Sequence, residues 1–477
     1  MSPATIIATV AAYIALLFAV ARYASRRVDN RSFFTAGRST HRAVAAVAMV
    51  GAAMSGVTYI SVPGTVDIDN FSYLQTTLGF FVGYLIIAFV LVPLYFRLGV
   101  VSLYEYLDHR FGVTSYRTGA WLFLVSKTLS ASLRAYVVCV VLQSLLFDSY
   151  NIPFALNAAL MMLLVWLYTR RGGVKSVVWV EMLKSVIMVG SITVAIIFII
   201  RALGFSLGDA GRAIADSDLS RVFFFDDAMD SRYFWKQFLA GIFLVVAMTG
   251  MDQDMMQTIL SCRTKRDAQR GLVASILVQM IVIALFLILG ALLYLYVGEN
   301  GVRGDGLFGY VATQSGLPVI VGILFILGLI ASTYSSAGSA LTALTTSLTL
   351  DILGGGKRSD EELGKLRRKA HSAIAVTMTL LIVVFNEWSS AGVITLIFTM
   401  ASYTYGPLLG MFLFGLTTRR KIRDGITPFI AILSPVVCYV VASHSEAWFG
   451  GYTFSYEVII LNGAISYLLL FLFSRKG

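Results

Sequence analysis

Gly51-Ala52-Ala53-Met54-Ser55-Gly56-Val57-Thr58-Tyr59-Ile60-Ser61-Val62-Pro63-Gly64 lies within an apolar run, yet it carries glycine, proline and small hydroxyl residues where an ordinary spanning helix carries bulky aliphatic ones. In hydrocarbon every backbone N–H and C=O must be bonded within its own helix, so such a cluster points to a helix interrupted where it lines a cavity. Opened there, its carbonyls could bind a small cation, with Ser55, Thr58 and Tyr59 facing a solute. A seam of small residues for close helix packing accounts for the same pattern equally well.

The surrounding chain reads as an integral membrane protein. Its 477 residues are 58% hydrophobic and only 13% charged, the wrong mixture for a soluble surface. Most apolar runs exceed the roughly 20 residues a helix needs to span the bilayer, and they do not alternate as barrel strands do. About thirteen spanning helices are expected, near 4–22, 41–65, 72–96, 118–147, 152–169, 176–202, 232–256, 271–297, 315–350, 370–388, 391–416, 426–443 and 455–474. The first has no small-residue cleavage site and is expected to stay as an anchor. No loop is long enough for an appended soluble domain, so residues 1–477 form one membrane domain in this reading.

The net charge of +11 is distributed as orientation in a bilayer is written. Arg22, Arg26, Arg27, Arg31, Arg38 and Arg42 share one side with Arg97, Arg110, Arg117, Arg170, Arg171, Lys175, Arg263, Lys265, Arg266 and Arg270. The basic residues of 357–369, 419–423 and 475–476 fall on that side too. The opposite loops hold Arg201, Arg212, Arg221, Arg232, Lys236 and Arg303. The N-terminus is therefore expected outside and the C-terminus in the cytoplasm of an inner-membrane protein, with the lipid bilayer and no nucleic acid as its partner. Cys139, Cys262 and Cys438 stand singly, so neither a transition metal nor redox chemistry is expected. The acidic loop from Gly204 to Ser231 reads as a solvated surface.

The ninth span carries Ser332-Thr333-Tyr334-Ser335-Ser336-Ala337-Gly338-Ser339-Ala340, with Ser332, Ser335, Ser336 and Ser339 at helical spacings on one stripe. Hydroxyls are hard oxygen donors, and a pair of them with bare carbonyls could coordinate sodium; helix packing is the alternative. Glu181 is a carboxylate inside a span, functional by default. It could instead pair with Lys184 one turn on, near enough to the cytoplasmic end for both to reach water. Lys127 and Arg134 lie deeper, among Ser126, Thr128, Ser130 and Ser132. A guanidinium there could bind a substrate carboxylate bidentately, snorkel, or pair with an internal acid.

These motifs resemble the sodium:solute symporter family, which includes carriers of glucose, proline, pantothenate, iodide, monocarboxylates and sialic acid. The likeness is carried by Met54-Ser55-Gly56 through Val62-Pro63-Gly64, by Pro93-Leu94-Tyr95-Phe96-Arg97-Leu98-Gly99 through Ser102-Leu103-Tyr104-Glu105-Tyr106-Leu107, and by Gly172-Gly173 with Glu181. Met251-Asp252-Gln253-Asp254-Met255-Met256-Gln257 and the Ser/Thr run ending at Asp351-Ile352 fall in register as well. The resemblance implies an all-α, leucine-transporter-type fold of two inverted five-helix repeats, 41–202 and 232–416, with one extra N-terminal helix and two further helices over 426–474. It also implies a sodium site of the Gly51, Met54 and Ser332 carbonyls and the Ser335 and Ser336 hydroxyls. Three departures stand out: Ala53 replaces the proline carriers' acid, Glu181 replaces the usual Asp, and Gly338 stands where a hydroxyl is often found. One coupled sodium is expected, with a second through Glu181 and Ser339 as the alternative.

The expected function is sodium-coupled symport by alternating access, by a monomer, without an organic cofactor. The expected solute contacts are Ser55, Thr58, Tyr59, Tyr73, Thr77, Lys127, Ser130, Arg134 and Gln253. Arg134 and Lys127 favour a carboxylate or sugar acid such as sialic acid; a neutral sugar is the alternative. A membrane sensor is less favoured because the chain stops at Gly477 directly after its last span. An enzyme is less favoured still, because no His, Cys or acid pair is expected at mid-membrane in a catalytic spacing.

Overall fold

A computed structural model describes residues 2–25, 33–34, 36, 40–298, 301–388 and 393–475. Arg26, Arg27, Arg31, Arg38 and Lys476 of the charge pattern lie outside the described residues. The principal helices are α1 (Pro3–Ala24), α2 (Arg42–Ala53), α3 (Gly56–Gly64), α4 (Tyr73–Leu98), α5 (Val113–Leu142), α6 (Phe154–Ala202) and α7 (Phe234–Gly250). They continue with α8 (Gln253–Leu260), α9 (Lys265–Val297), α10 (Val319–Ile352), α11 (Asp360–Trp388), α12 (Val393–Thr417), α13 (Thr427–Ser443) and α14 (Val458–Leu472). Among the described residues nine helices are long and apolar enough to cross a membrane, or eleven when each of two bent pairs is one span. Apolar side chains such as Phe89, Ile281, Leu380 and Ile432 are more than half exposed on the outer faces, as a lipid-facing surface requires.

The breaks decide the architecture. The α2–α3 pair bends by 54° across Met54 and Ser55, within the small-residue cluster. The seventh span, expected unbroken over 232–256, is instead divided into α7 and α8 with a bend of 68°. A π turn over Val246–Gly250 precedes the break, and the Asp252 side chain accepts from the N–H groups of Asp254 (2.9 Å) and Met255 (3.2 Å), capping α8. Straight, the 49 residues of α6 would reach about 70 Å, more than twice the hydrocarbon thickness. The helix kinks at Gly173 (φ 50°, ψ −140°), a backbone only glycine adopts readily, where a Cβ would fall 2.5 Å from the Phe33 carbonyl oxygen.

Helix α10 is the interior element: 67% of its most apolar window is buried within the protein, against 28% for α1 and α13, which lie at the periphery. It packs most extensively against α6, while α4 packs on α7 and α12 on α14. The loop after α4 is pinned from below. Ser102 Oγ (2.9 Å), Tyr116 Oη (2.8 Å) and Ser347 Oγ (2.7 Å) all donate to the Asp351 carboxylate at the end of α10. The only strands among the described residues are Lys421–Ile422 and Ser474–Arg475, paired antiparallel. In the acidic loop Asp209, Asp216, Asp226 and Asp227 are exposed, as a solvated surface requires.

Candidate functional site

Helix α2 stops at Met54, whose backbone is extended (φ −104°, ψ 129°), and Ser55 restarts the chain as α3. Ser55 Oγ accepts from the Thr58 N–H at 3.4 Å, and Thr58 Oγ1 accepts from the Ser55 N–H at 3.3 Å. The two hydroxyls expected at the solute thus also satisfy the new helix end. The other side of the break is the C-terminus of α2, where the last carbonyls lack intrahelical donors; the Met54 N–H returns to Gly51 O at 3.0 Å.

The break is held between α6 and α10. A Cβ on Gly51 would fall 2.4 Å from the Glu181 carbonyl oxygen, and one on Gly56 would fall 2.8 Å from Thr333 Oγ1 and 3.2 Å from Ser332 Oγ. The carbonyl-rich break therefore abuts the hydroxyl stripe. Ser332 Oγ and Thr333 Oγ1 both donate to Leu329 O, at 2.8 and 2.9 Å. Ser335 Oγ is buried beside the Glu181 carboxylate and closes no hydrogen bond of good geometry, leaving its lone pairs available to a cation. Ser336 Oγ instead accepts from Lys184 Nζ at 3.2 Å.

Glu181 and Lys184 form the expected i,i+3 pair, Nζ to Oε2 at 2.7 Å, but not the expected solvent-reaching one. Both side chains are 0% exposed. The close packing of Gly51 on one side of Glu181 and of Ser336 on Lys184 seals the pair from solvent.

A second charged cluster was only half legible. Lys127 Nζ lies 3.1 Å from Asp252 Oδ2 and 2.7 Å from Asp254 Oδ2, with all three side chains at most one tenth exposed. Tyr405 Oη donates to Asp252 Oδ2, and Ser339 Oγ donates to Asp254 Oδ1. Asp252 and Asp254 are thus buried side by side at the break between α7 and α8, neutralised in part by Lys127. Their signal was two carboxylates in an apolar run directly after Gly250, the pattern that marks intramembrane acids as functional.

Two adjoining hollows, of about 110 and 20 Å³, share Ala52, Lys127, Ser130 and Arg134 in their walls. Of the expected solute residues, Ser55, Thr58, Tyr73, Lys127, Ser130 and Arg134 line the larger one, together with Phe80, Tyr84, Thr249, Gln279 and Tyr405, which the sequence reading did not single out. Tyr59, Thr77 and Gln253 are not brought to it. Tyr59 is enclosed by Phe286, Phe308 and Phe325, with its hydroxyl 2.8 Å from Ser191 Oγ. Thr77 donates to Tyr73 O at 2.9 Å. Gln253 donates to Val101 O (2.9 Å) and accepts from the Leu103 N–H (3.0 Å), so it holds the loop after α4. Glu181, Ser336 and Ser339 line the smaller hollow.

The sodium:solute symporter family model matches residues 33–427. The chain belongs to the sodium:solute symporter family. It is 24% identical to the human sodium/iodide cotransporter over 84% of this chain and 63% of that protein. It is 22% identical to the sodium/sialic acid symporter NanT of Aliivibrio fischeri over 94% of this chain and 90% of that one. Against the human sodium-coupled monocarboxylate transporter 2 it is 26% identical over 67% of this chain and 53% of that protein. The chain thus spans between half and two thirds of the length of these two human relatives. Its fold is shared with a Na+-coupled sialic acid symporter in a substrate-bound outward-open state (TM-score 0.83, 18% identity, 99% of both chains). It is also shared with Mhp1, a nucleobase-cation-symport-1 family transporter, in a closed conformation (TM-score 0.62, 14% identity, 91% of this chain and 92% of that).

Within this sodium:solute symporter family member the charges around the cavity balance. Asp252, Asp254 and Glu181 face Lys127, Lys184 and Arg134. Lys127 and Lys184 are each ion-paired. Arg134 enters no ion pair among the described residues, and its Nε is buried without a hydrogen-bond partner.

Proposed function

We propose that this protein is a sodium-coupled secondary symporter that imports a small organic anion, a carboxylate or sugar acid of the sialic acid kind, by alternating access. The observation that carries the substrate class is Arg134: of the three bases at the cavity it is the one left over once the internal acids are paired, and a carboxylate would complete it bidentately. Family membership and the donor set of the Met54 break with Ser335 support sodium as the coupled ion.

In this reading sodium stabilises the junction of α2–α3 with α10, which closes the wall on which Ser55, Thr58 and Arg134 stand. Sodium and solute need only favour the same occluded state to be coupled. Each charge carried down a membrane potential of 100 mV contributes about 2.3 kcal/mol. The reading also takes the chain as a monomer of thirteen spans, counting the halves of α6 separately and including α14, with inverted repeats over 41–202 and 232–416. The N-terminus would lie outside and the C-terminus in the cytoplasm of an inner membrane.

The test is sodium-dependent thermal stabilisation of the purified protein, scanned over carboxylates, sugars, amino acids and vitamins, with Ser335→Ala as control, since a ligand of the native state raises the melting temperature. Stabilisation by sodium but not potassium, lost in Ser335→Ala and increased by one carboxylate only when sodium is present, is the expected result. Equal stabilisation by sodium, lithium and potassium in both proteins would sink the reading.

A further inference from the structure

We infer that the starts of α7 and α14 form a binding site for the headgroup of an aminophospholipid, a lipid that carries both a phosphate and a primary ammonium. The inference rests on membrane embedding alone, so it stands or falls apart from the sodium-symport reading.

A cavity of about 390 Å³ is walled by Tyr233, Trp235 and Leu239 at the start of α7 and by Phe454, Ile460 and Leu461 at the start of α14. Two charges of opposite sign share it, Lys236 (6% exposed) and Glu457 (8%). They do not meet. Lys236 Nζ donates to Met229 O at 3.1 Å and to Thr453 O at 3.2 Å, and it lies 4.0 Å from the centre of the Tyr452 ring. Among the described residues it enters no ion pair. Tyr452 Oη donates to Glu457 Oε1 at 2.8 Å, while Glu457 Oε2 is buried without a hydrogen-bond partner. Tyr452 therefore holds the base with its ring and the acid with its hydroxyl.

A buried carboxylate oxygen without a donor is costly, and an ammonium has three donors, of which Lys236 uses two on carbonyls. Opposite charges kept apart in one cavity are complementary to a ligand that carries both. A phosphate oxygen takes the third donor of Lys236, and a primary ammonium donates to Glu457 Oε2. A quaternary ammonium has no N–H to give, and the Tyr452 ring that would attract it already faces Lys236. A plain anion would leave Glu457 unpartnered. The place in the fold names a lipid as the source. Both helices lie in apolar runs long enough to span the bilayer, so their starts fall at headgroup level. Trp235 and Trp448, in the segments that lead into these helices, are half exposed, as aromatic side chains at a membrane interface are. Leu239, Ile460 and Leu461 give the cavity an apolar wall for the acyl chains.

The experiment is native mass spectrometry of the purified, delipidated full-length protein in wild type, Glu457→Gln and Lys236→Gln. Each is titrated with phosphatidylethanolamine, phosphatidylcholine and phosphatidylglycerol of identical acyl chains, and with glycerophosphoethanolamine as the soluble headgroup. Wild type is expected to bind phosphatidylethanolamine roughly tenfold more tightly than the other two lipids, the worth of about one charge-assisted hydrogen bond. The soluble headgroup is expected to bind far more weakly. Glu457→Gln should lose the preference for phosphatidylethanolamine over phosphatidylcholine, and Lys236→Gln should weaken all three lipids. Glu457→Gln keeps an oxygen for the Tyr452 hydroxyl, so it covers the case in which Lys236→Gln does not fold. Equal binding of the three lipids to wild type, or an unchanged preference in Glu457→Gln, overturns the inference. Tighter binding of phosphatidylglycerol would make this an anion site, and soluble headgroup bound as tightly as the lipid would make it a site for a free zwitterion; either result overturns the inference too.

Discussion

Lys127 Nζ lies 2.7 Å from Asp254 Oδ2, tying the middle of α5 to the first turn of the helix that restarts after the α7–α8 break. The same ammonium reaches Asp252 Oδ2 at 3.1 Å, the residue that caps that helix, so one side chain pairs with both acids that the break brings into the interior.

Lys127→Met is therefore expected to destabilise strongly. It leaves two buried carboxylates without their cation, and removing one partner of a buried pair costs about 3–5 kcal/mol. Adding Asp254→Asn to Lys127→Met should recover part of the loss. Thermal denaturation of the purified variants checks this, and a melting temperature unchanged by Lys127→Met would refute the neutralising role.

Arg134→Lys is expected to weaken carboxylate binding by roughly tenfold, because a point charge replaces a planar fork at the cost of about one charge-assisted hydrogen bond. Arg134→Ala should abolish the carboxylate-dependent part of the thermal stabilisation. Sodium-dependent stabilisation should survive in both, since Arg134 is not among the sodium donors. Unchanged carboxylate affinity in Arg134→Ala would exclude it from the solute site.

Gln253→Leu should act on stability and leave the solute alone. The substitution strands the Val101 carbonyl and the Leu103 N–H, at a cost of about 1–3 kcal/mol for buried groups left unpaired. Denaturation and binding measured on one preparation separate the two effects: a large fall in solute affinity at unchanged stability would return Gln253 to the cavity wall.

Gly338→Ala is expected to cost about 1–3 kcal/mol by overpacking, because its Cβ meets the Tyr168 hydroxyl. Tyr168→Phe combined with it should recover part of that loss, a departure from additivity that a double-mutant cycle reads directly.

What the residues disclosed without coordinates follows from short-range rules. Membrane embedding and the helical class depend on apolar run length and on the local cost of unbonded backbone in hydrocarbon, both visible within a few neighbours in the chain, whereas a break near Met54 was only one of two equal readings beside a packing seam. The Glu181–Lys184 pair was equally visible, because three residues along a helix are neighbours by construction. The pair's complete burial was not, because the groups that seal it, Gly51 and Ser336, come from elements more than a hundred residues away in sequence. The α7–α8 break was missed because 232–256 reads as one apolar run, and the cap that stabilises the break is a single side chain, Asp252. Tertiary structure alone decided which base keeps a free charge. Lys127, Arg134 and Lys184 look alike as cations in apolar runs, and only the positions of Asp252, Asp254 and Glu181 leave Arg134 facing the cavity unpaired. Ion pairing inside a membrane protein depends on distances between helices, and those distances come from packing, which no single segment encodes.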